Sequence, residues 1–579
     1  MTLRSQSARQ RAPEADPLRL GIGWTREQLD GPYVLVDSVA GDSHPGSVHL
    51  QAVVEAVAVG VTSAGAAPAK YACTDMCDGI AQGTDGMDYS LPSRDVIASA
   101  VEMHARSGYY DALVLVSGCD KAVPAHLMAA ARLDLPTLHV PGGSMPAGPG
   151  QTTVDQIGAI AAALRRGEIT LDAYRAWVDA AVPSCGSCAF MGTALTSQVL
   201  AEVLGLAMPG SAVVPAGGPE QMELARLTGE TVLSHLAGGL TARSFLTADA
   251  IENAIVVHAA VGGSTNFLLH LPAVAAELGL RVDLERLQQL NDEVPFLVDT
   301  RPAGRYPASL FWHAGGVRRV MREVAGHLHL DALAATGRPW GEELDAWAPD
   351  DDVAPAELAK LGLTWRDIIR PASEPVAERG AIAVLRGNLA PRGAVVKRTA
   401  VLPEALRVQG PCRVFESQES ALDAVTTRSV APGTVVVVRG EGPRGSGMPE
   451  QYYLTSAIAS DPELASTCAL ITDGRFSGAT KGPCIGHVSP EAAAGGPIAA
   501  LRDGDVVLVD VNSRRLDLLG TSSDAALSSA RGDELIAERM RDWKPQSLGG
   551  GADLLTLYRS LATHADEGAV MRAPASPTP

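Results

Sequence analysis

The chain has 579 residues, a formal net charge of -19 and 46% hydrophobic residues, with a sequence pI near 5.1. A chain of this length can bury a large core and exceeds one ordinary domain, so we expect at least two domains. The acidic balance disfavours nucleic acid and anionic lipid, and no uncharged apolar run reaches the roughly 18 residues of a membrane span. Because the amino terminus also lacks the apolar stretch of a secretory signal, we expect a cytoplasmic protein with no membrane segment.

The two ends and one central segment predict how the chain is divided. Residues 1–17 and 571–579 are poor in apolar periodicity, and we expect both to be disordered tails. Between about 340 and 375 the pattern becomes acidic and proline-bearing, which is typical of a domain boundary. The sequence therefore predicts an N-terminal domain over 18–375 and a C-terminal domain over 376–570.

Strand-like runs alternate with helical patterns in the first of these domains. Runs at 33–36, 111–116 and 136–140 are each followed by a helical pattern. This alternation predicts an α/β domain with a largely parallel sheet flanked by helices. Such sheets place their sites at the carboxyl ends of strands, where glycine-bearing segments stand at 77–79 and 118–121.

The second domain has a different sequence pattern. Short β-rich runs separated by Gly and Pro follow one another at 381–385, 394–397, 413–415, 434–439, 469–472 and 505–511. Short strands with regular turn signals are typical of sandwiches and barrels. We predict a mostly β domain that closes into a barrel.

Two segments of the N-terminal domain offer thiols and carboxylates. Cys119, Asp120 and Lys121 end a buried strand; thiolates suit iron–sulfur clusters and carboxylates suit Mg²⁺. Taken alone, a core cysteine beside a surface ion pair is the commoner outcome. Cys185 and Cys188 form a CxxC that also fits a redox pair or half of a zinc site. With Cys77, these cysteines provide up to four thiolates, enough for a cluster.

The C-terminal domain offers a serine and a carboxylate. Ser477 stands in a glycine-flanked turn after a strand, where it could be a base, although serine in a turn is most often structural. Glu450 ends a glycine-rich loop, where a glutamate is ordinarily solvated. Neither residue alone predicts a functional site.

Together these segments resemble the family that unites dihydroxy-acid dehydratases, phosphogluconate dehydratase and sugar-acid dehydratases. The resemblance spans about residues 20 to 570 and rests on CDGIAQGT at 77–84, SLPSR at 90–94, CDK at 119–121, GGSTN at 262–266, TDGRFSG at 472–478 and GHVSPEA at 486–492. It implies a hydro-lyase that forms a 2-keto acid and depends on Mg²⁺ and an iron–sulfur cluster. It also implies a homodimer or homotetramer.

The resemblance also implies roles for individual residues. Asp78, Asp120 and Glu450 correspond to Mg²⁺ ligands, together with Lys121 carboxylated on its amine. Cys119 and Cys188 correspond to cluster ligands, and Ser477 to the base that takes the C2 proton.

One departure from the family concerns the third cluster ligand. Many members have a cysteine in the loop after the first strand, where this chain reads HPGSVH over 44–49. Cys77, as in some xylonate dehydratases, or Cys185, as in the CGSC form of some dihydroxy-acid dehydratases, would supply that thiolate. We select Cys77, and both [2Fe-2S] and [4Fe-4S] clusters remain open.

Different motifs of the chain favour different substrates. Residues 21–24, residues 250–260 and Cys77 resemble xylonate dehydratases, whereas 90–94 and 185–188 resemble dihydroxy-acid dehydratase. We favour a sugar acid such as a pentonate; the alternative is 2,3-dihydroxyisovalerate, dehydrated to 2-ketoisovalerate. An iron–sulfur sensor or RNA-binding regulator is a hypothesis from another class, and the acidic charge argues against it.

Overall fold

The computed structural model describes residues 3–351, 353–545 and 551–573. Its strands are β1 Tyr33–Ser38, β2 Ala67–Ala72, β3 Ala112–Ser117, β4 Thr137–Pro141, β5 Ile382–Leu385, β6 Gly393–Lys397, β7 Arg407–Phe415, β8 Val435–Val438, β9 Ala469–Thr472, β10 Cys484–Ser489, β11 Asp505–Asp510 and β12 Arg515–Thr521.

The α-helices in chain order are α1 Arg4–Arg11, α2 Ala15–Gly21, α3 Arg26–Asp30, α4 Leu50–Ser63, α5 Asp78–Ala81, α6 Ser90–Gly108, α7 Ala122–Leu133, α8 Ile157–Arg165, α9 Leu171–Ala181, α10 Thr193–Val203, α11 Pro219–Gly238, α12 Ala242–Phe245, α13 Ala248–Val261, α14 Phe267–Glu277, α15 Leu284–Glu293, α16 Ser309–His313, α17 Gly316–Glu323, α18 Trp340–Ala346, α19 Ala356–Ala359, α20 Trp365–Ile368, α21 Gln418–Thr426, α22 Tyr452–Ala459, α23 Pro462–Thr467, α24 Ser529–Met540 and α25 Leu554–Leu561. Short 3₁₀ helices cover Asp85–Tyr89, Pro149–Gln151, Val154–Gln156, Ala325–His327, Arg398–Ala400, Pro403–Ala405, Ala492–Ala494, Pro497–Ala500 and Ala565–Glu567.

The N-terminal sheet is parallel, with strand order β2-β1-β3-β4. Strands β1, β3 and β4 are buried along their whole length, as their apolar runs require in a sheet covered on both faces. The connection that follows β1 leads to β2, at one edge of the sheet. The connection that follows β3 leads to β4, at the opposite edge. Since such crossovers are right-handed, α4 and α7 cover opposite faces of the sheet. The neighbouring ends of β1 and β3 form a switch point, where open α/β sheets bind their ligands.

The C-terminal sheet is mixed, with strand order β12-β11-β7-β8-β9-β10-β6-β5. A bridge between Arg386 and Arg515 joins its two end strands, so the sheet curls round on itself. The predicted α/β class, with a parallel sheet followed by a barrel-like sheet, is confirmed. The division near 375 stays a prediction.

The expectation of disordered tails is wrong for the described part of both ends. Residues 4–11 form α1, where the backbone N–H of buried Ser5 donates to Asp111 Oδ1 at 3.1 Å. At the other end the backbone N–H of Met571 donates to Asp95 Oδ1 at 2.9 Å. Hydrogen bonds to buried carboxylates therefore fix segments that have little apolar periodicity. Residues 1, 2 and 574–579 lie outside the described residues.

The described helices include none that is both long and apolar enough to cross a membrane.

Candidate active site

The loops that follow β1 and β3 meet a third loop, between α9 and α10, at the switch point of the parallel sheet. The backbone N–H of Gly186 donates to the Pro45 carbonyl at 2.8 Å, joining the third loop to the first. The Ser187 hydroxyl donates to the Gly118 carbonyl at 2.6 Å, joining it to the second. Segments far apart in the chain thus form one continuous wall.

Three carboxylates converge beside this wall. Asp78 begins α5, Asp120 follows β3, and Glu450 lies in the loop between β8 and α22. One oxygen from each lies within 4.8 Å of the others. The structure therefore brings together three of the predicted Mg²⁺ ligands, one of them from the C-terminal domain, as an all-oxygen set of the kind Mg²⁺ prefers.

Two buried cations neutralise this group. Lys121 Nζ lies 2.6 Å from Asp78 Oδ2 and 3.9 Å from Asp120 Oδ2. Arg475 pairs with Glu450 Oε1 and lies 3.5 Å from Asp78 Oδ2. Both cationic side chains are fully buried, so the cluster is a desolvated charge network and not a solvated acidic patch.

The family motifs supply the hydrogen bonds that fix these carboxylates. Ser90 of the SLPSR motif donates to Asp78 Oδ1 at 2.6 Å and accepts from Arg475 at 2.8 Å. Asn266 of the GGSTN motif donates to Glu450 Oε1 at 2.8 Å. Gln82 donates to its other oxygen at 3.0 Å. Both oxygens of Glu450 are therefore oriented before any ligand binds.

The environment shifts the pKa values of the three carboxyl groups in different directions. Burial raises the pKa of Asp120 to about 7, although the charge of Lys121 opposes the shift. Burial also raises the pKa of Glu450 against the opposing charge of Arg475. For Asp78 burial acts in the same direction, but the charges of Lys121 and Arg475 outweigh it, and its pKa is lowered. A divalent cation would favour the ionised form of all three.

The predicted cluster cysteines lie on the same wall. Hydrogen bonding with the Cys119 thiol lowers the pKa of Cys77 to about 7, and the same interaction raises the pKa of Cys119. Burial, reinforced by the charge of Cys77, raises the pKa of Cys188. In the described parts of the chain, no three cysteines or histidines come within 4.8 Å of one another, so the thiols lack the spacing of a single-ion site such as zinc.

Cys185 points elsewhere. An ideal Cβ at Gly217, on the loop before α11, would lie 3.5 Å from the Cys185 Sγ. The cavity beside this loop, about 930 Å³, is lined by the neighbouring residues Ser184 and Pro215.

Ser477 follows Arg475 in the turn after β9. An ideal Cβ at the next residue, Gly478, would lie 2.5 Å from the Cα of Gly192, so only glycine allows this turn to approach the segment before α10 so closely. The Ser477 hydroxyl is half-buried and accepts a long hydrogen bond of 3.3 Å from the backbone N–H of Ala479. It shares a small cavity with Lys397 and Thr265.

Sequence reasoning missed several residues of this site. Arg475, Ser90 and Asn266 lie inside motifs that carried the family resemblance, yet nothing in those motifs assigns them a partner. Lys397 is buried, its Nζ has no hydrogen-bond partner, and burial lowers its pKa to about 7. Its only signal is a lysine at the end of an apolar run, Ala394-Val395-Val396-Lys397.

Comparison with known proteins agrees with this geometry. Residues 31–343 match the dihydroxy-acid/6-phosphogluconate dehydratase N-terminal model, and residues 367–569 match the corresponding C-terminal model. The chain is 41% identical to the dihydroxy-acid dehydratase of Methanothrix thermoacetophila, over 98% of this chain and 99% of that protein. It is 41% identical to the dihydroxy-acid dehydratase of Caldanaerobacter subterraneus subsp. tengcongensis, over 97% of this chain and 98% of that protein. It is 40% identical to the dihydroxy-acid dehydratase of Ignicoccus hospitalis, over 96% of this chain and 98% of that protein.

Both halves of the chain match, the relatives align over nearly their full length, and the three carboxylates converge from both halves. The chain belongs to the dihydroxy-acid/6-phosphogluconate dehydratase family and is a dehydratase, that is, a hydro-lyase.

Proposed function

We propose that this dehydratase acts on a 2,3-dihydroxy carboxylic acid and converts 2,3-dihydroxyisovalerate to 2-ketoisovalerate. The observation that supports this most is end-to-end similarity, at about 40% identity, to relatives named dihydroxy-acid dehydratase. This reverses the preference for a sugar acid drawn from the motifs. Ser90 and Asn266, from two of these motifs, donate hydrogen bonds to Asp78 and Glu450. Residues that orient the proposed metal ligands would serve the shared reaction and would not select the rest of the substrate.

The metal-binding residues fit two groups. Asp78, Asp120 and Glu450, with Lys121 carboxylated on its amine, would hold Mg²⁺. Cys77, Cys119 and Cys188 would hold a [2Fe-2S] or [4Fe-4S] cluster. The contact between Cys77 and Cys119, and the different direction of Cys185, support Cys77 as the third thiolate. When bound, the two groups would supply Lewis-acid chemistry at the substrate carboxylate and hydroxyls.

Ser477 would act as the base. Its alkoxide removes the proton from C2, the electron pair forms the C2–C3 double bond, and hydroxide leaves C3. The resulting enol takes up a proton at C3 and becomes the 2-keto acid. An ordinary serine hydroxyl is far too weak an acid for this role, so positive charge must stabilise its anion. Lys397 lines the same cavity, and its protonated form would contribute that charge.

A substrate panel tests the proposal. Protein purified without oxygen and supplied with Mg²⁺ is assayed for keto-acid formation from 2,3-dihydroxyisovalerate, xylonate, arabinonate and 6-phosphogluconate. We expect kcat/KM for the branched acid to exceed the others by more than about tenfold, since a pocket shaped for an alkyl group rejects a polyhydroxyl chain. Turnover of an aldonate alone would restore the sugar-acid interpretation. Filter binding to RNA at physiological salt tests the regulator hypothesis, for which we expect no binding.

A further inference from the structure

The C-terminal helix α25 lies against the loop between β8 and α22, which carries Glu450. Two hydrogen bonds join them in opposite directions. Arg559 Nε donates to the Arg444 carbonyl at 3.1 Å, and Arg444 Nε donates to the Ala562 carbonyl, at the end of α25, at 2.8 Å. Each arginine therefore binds the backbone of the other segment, although the two residues are 115 positions apart in the chain.

A buried apolar contact joins the same two segments. Tyr558 of α25 and Met448 of the Glu450 loop are both fully buried, and they belong to one hydrophobic cluster with Leu91 and Leu269. The Tyr558 hydroxyl donates to the Ala569 carbonyl at 2.6 Å, which fixes the position of the ring. The helix is therefore a packed neighbour of the loop and not an appendage on its surface.

The turn that leads to Glu450 has a backbone that needs support of this kind. Met448 has a φ of 63°, in the left-handed region that a residue other than glycine rarely adopts. Its carbonyl accepts a hydrogen bond of 2.7 Å from Arg475, which also pairs with Glu450. An ideal Cβ at Gly447 would lie 2.9 Å from Leu555 Cδ1 of α25. Such a backbone conformation persists only where its surroundings fix it, and α25 is part of those surroundings.

The end of the chain is anchored on another side of the same site. Arg94, which is fully buried, donates to the Ala569 carbonyl at 2.9 Å. Arg94 lies on α6, whose first residue, Ser90, donates to Asp78. Residues 554–571, which we call the C-terminal clamp, thus contact elements that carry or orient two of the proposed Mg²⁺ ligands.

We propose that the C-terminal clamp positions Glu450 for Mg²⁺, and that Arg559 is a positioning residue of the clamp. The inference rests on the proposed Mg²⁺ site. A residue that orients a metal ligand raises the affinity for the metal, because a ligand that is already fixed loses less entropy when the ion binds. Such coupling is reciprocal: closure of the clamp favours binding of Mg²⁺, and bound Mg²⁺ makes opening of the clamp rarer.

The first measurement concerns the metal alone. Mn²⁺, which takes the same oxygen ligands as Mg²⁺, is titrated into full-length protein that holds its cluster but no Mg²⁺, and binding is followed by electron paramagnetic resonance. We expect Arg559→Met to weaken binding about three- to tenfold, the contribution of one hydrogen bond, and Arg559→Lys, which keeps a donor, to recover most of it. Arg572→Met is a matched control, because Arg572 donates to the Ala276 carbonyl, outside the Glu450 loop.

Hydrogen exchange of the α25 amides provides a second measurement, which does not depend on activity. In the wild type, saturating Mg²⁺ should slow this exchange by a factor similar to the loss of affinity in Arg559→Met. If Arg559→Met binds Mn²⁺ as tightly as the wild type, or if Mg²⁺ leaves the exchange of α25 unchanged, the clamp is only structural and the proposed function stands. Wild-type protein that binds no Mn²⁺ would instead overturn the proposed Mg²⁺ site, and this inference with it.

Discussion

The amine of Lys121 lies 2.6 Å from the Asp78 carboxylate and joins the loop after β3 to the first turn of α5. Lys121 is fully buried, and a second carboxylate, that of Asp120, lies 3.9 Å away. A lysine at this point has two possible chemical states. It can be an ammonium ion that neutralises the carboxylates, or a carbamate that adds an oxygen ligand for Mg²⁺.

Carboxylation of Lys121 gives the first prediction. Protein exchanged with ¹³C-bicarbonate should show a carbamate carbon signal in NMR spectra, and Lys121→Met should lack it. The variant should lose Mg²⁺-dependent activity by about 10²-fold or more, since the ion contributes several kcal/mol to catalysis. Its cluster spectrum should be unchanged, because the thiols lie on the neighbouring wall. An active Lys121→Met enzyme would show that the amine is only a counter-charge.

Arg475 gives the second prediction. Replacing it by Met leaves Glu450 and Asp78 without this buried cation, and breaking a buried pair costs about 3–5 kcal/mol of the free energy of unfolding. Mg²⁺ would supply the missing charge, so the loss in melting temperature should be larger without Mg²⁺ than with it. An exposed arginine, Arg175, provides the control as Arg175→Met. An equal loss under both conditions would mean that Arg475 does not share the site of the ion.

The fold was largely predictable from the sequence, and the exceptions have physical causes. The apolar runs of β1, β3 and β4 are buried on both faces and are easily recognised. Strand β2 was missed because most of it is exposed at the edge of the sheet, with Pro68 and Lys70 interrupting the pattern. Strand β10 was missed because its buried run contains Gly486 and His487.

The site was predictable only where local sequence determines it. The rule that ligands bind at strand ends predicts the position of Asp120, directly after β3, because that position depends on β3 alone. The pairing of Arg475 with Asp78 joins residues about 400 positions apart, and no local pattern encodes it. For the same reason the contact of Cys77 with Cys119, and the different direction of Cys185, required the structure.

The cysteines give the third prediction. Cys119→Ser and Cys188→Ser should abolish the visible absorption of the cluster, because a hydroxyl is a poor ligand for iron. Cys185→Ser should keep the absorption and the iron content of the wild type, since that thiol faces Gly217. Absorption spectra and iron analysis of anaerobically purified protein provide the measurement. If Cys185→Ser loses the cluster and Cys77→Ser keeps it, the third cluster ligand is Cys185 and not Cys77.

Lys397 gives the fourth prediction, which concerns pH. Burial lowers its pKa from 10.5 to about 7, so between these values the unfolded chain binds a proton that the folded protein does not. The free energy of unfolding therefore rises with pH across this window, by at most about 1.4 kcal/mol per pH unit from this group. The cost of burying the ammonium is fully present below pH 7 and disappears towards pH 10.5.

Lys397→Met should consequently be more stable than the wild type at pH 6, with the difference shrinking as the pH rises from 7 to 9. Denaturant unfolding at a series of pH values provides the measurement, and Lys360→Met, on an exposed helix end, provides the control. A stability difference that does not vary with pH would mean that Lys397 is buried with its charge compensated.

The proposed reaction is tested most sharply by the product that the holoenzyme forms from 2,3-dihydroxyisovalerate in D₂O. We expect 2-ketoisovalerate with one deuterium at C3, because the enol is protonated from solvent at that carbon. Ser477→Ala should keep the cluster spectrum and Mg²⁺ content but lower kcat by about 10²–10⁴, the contribution of a positioned base, whereas Ser466→Ala on an exposed helix should match the wild type. If iron- and Mg²⁺-loaded protein does not convert this acid, the proposed reaction is wrong. If Ser477→Ala keeps more than about a tenth of the wild-type kcat, Ser477 is not the base.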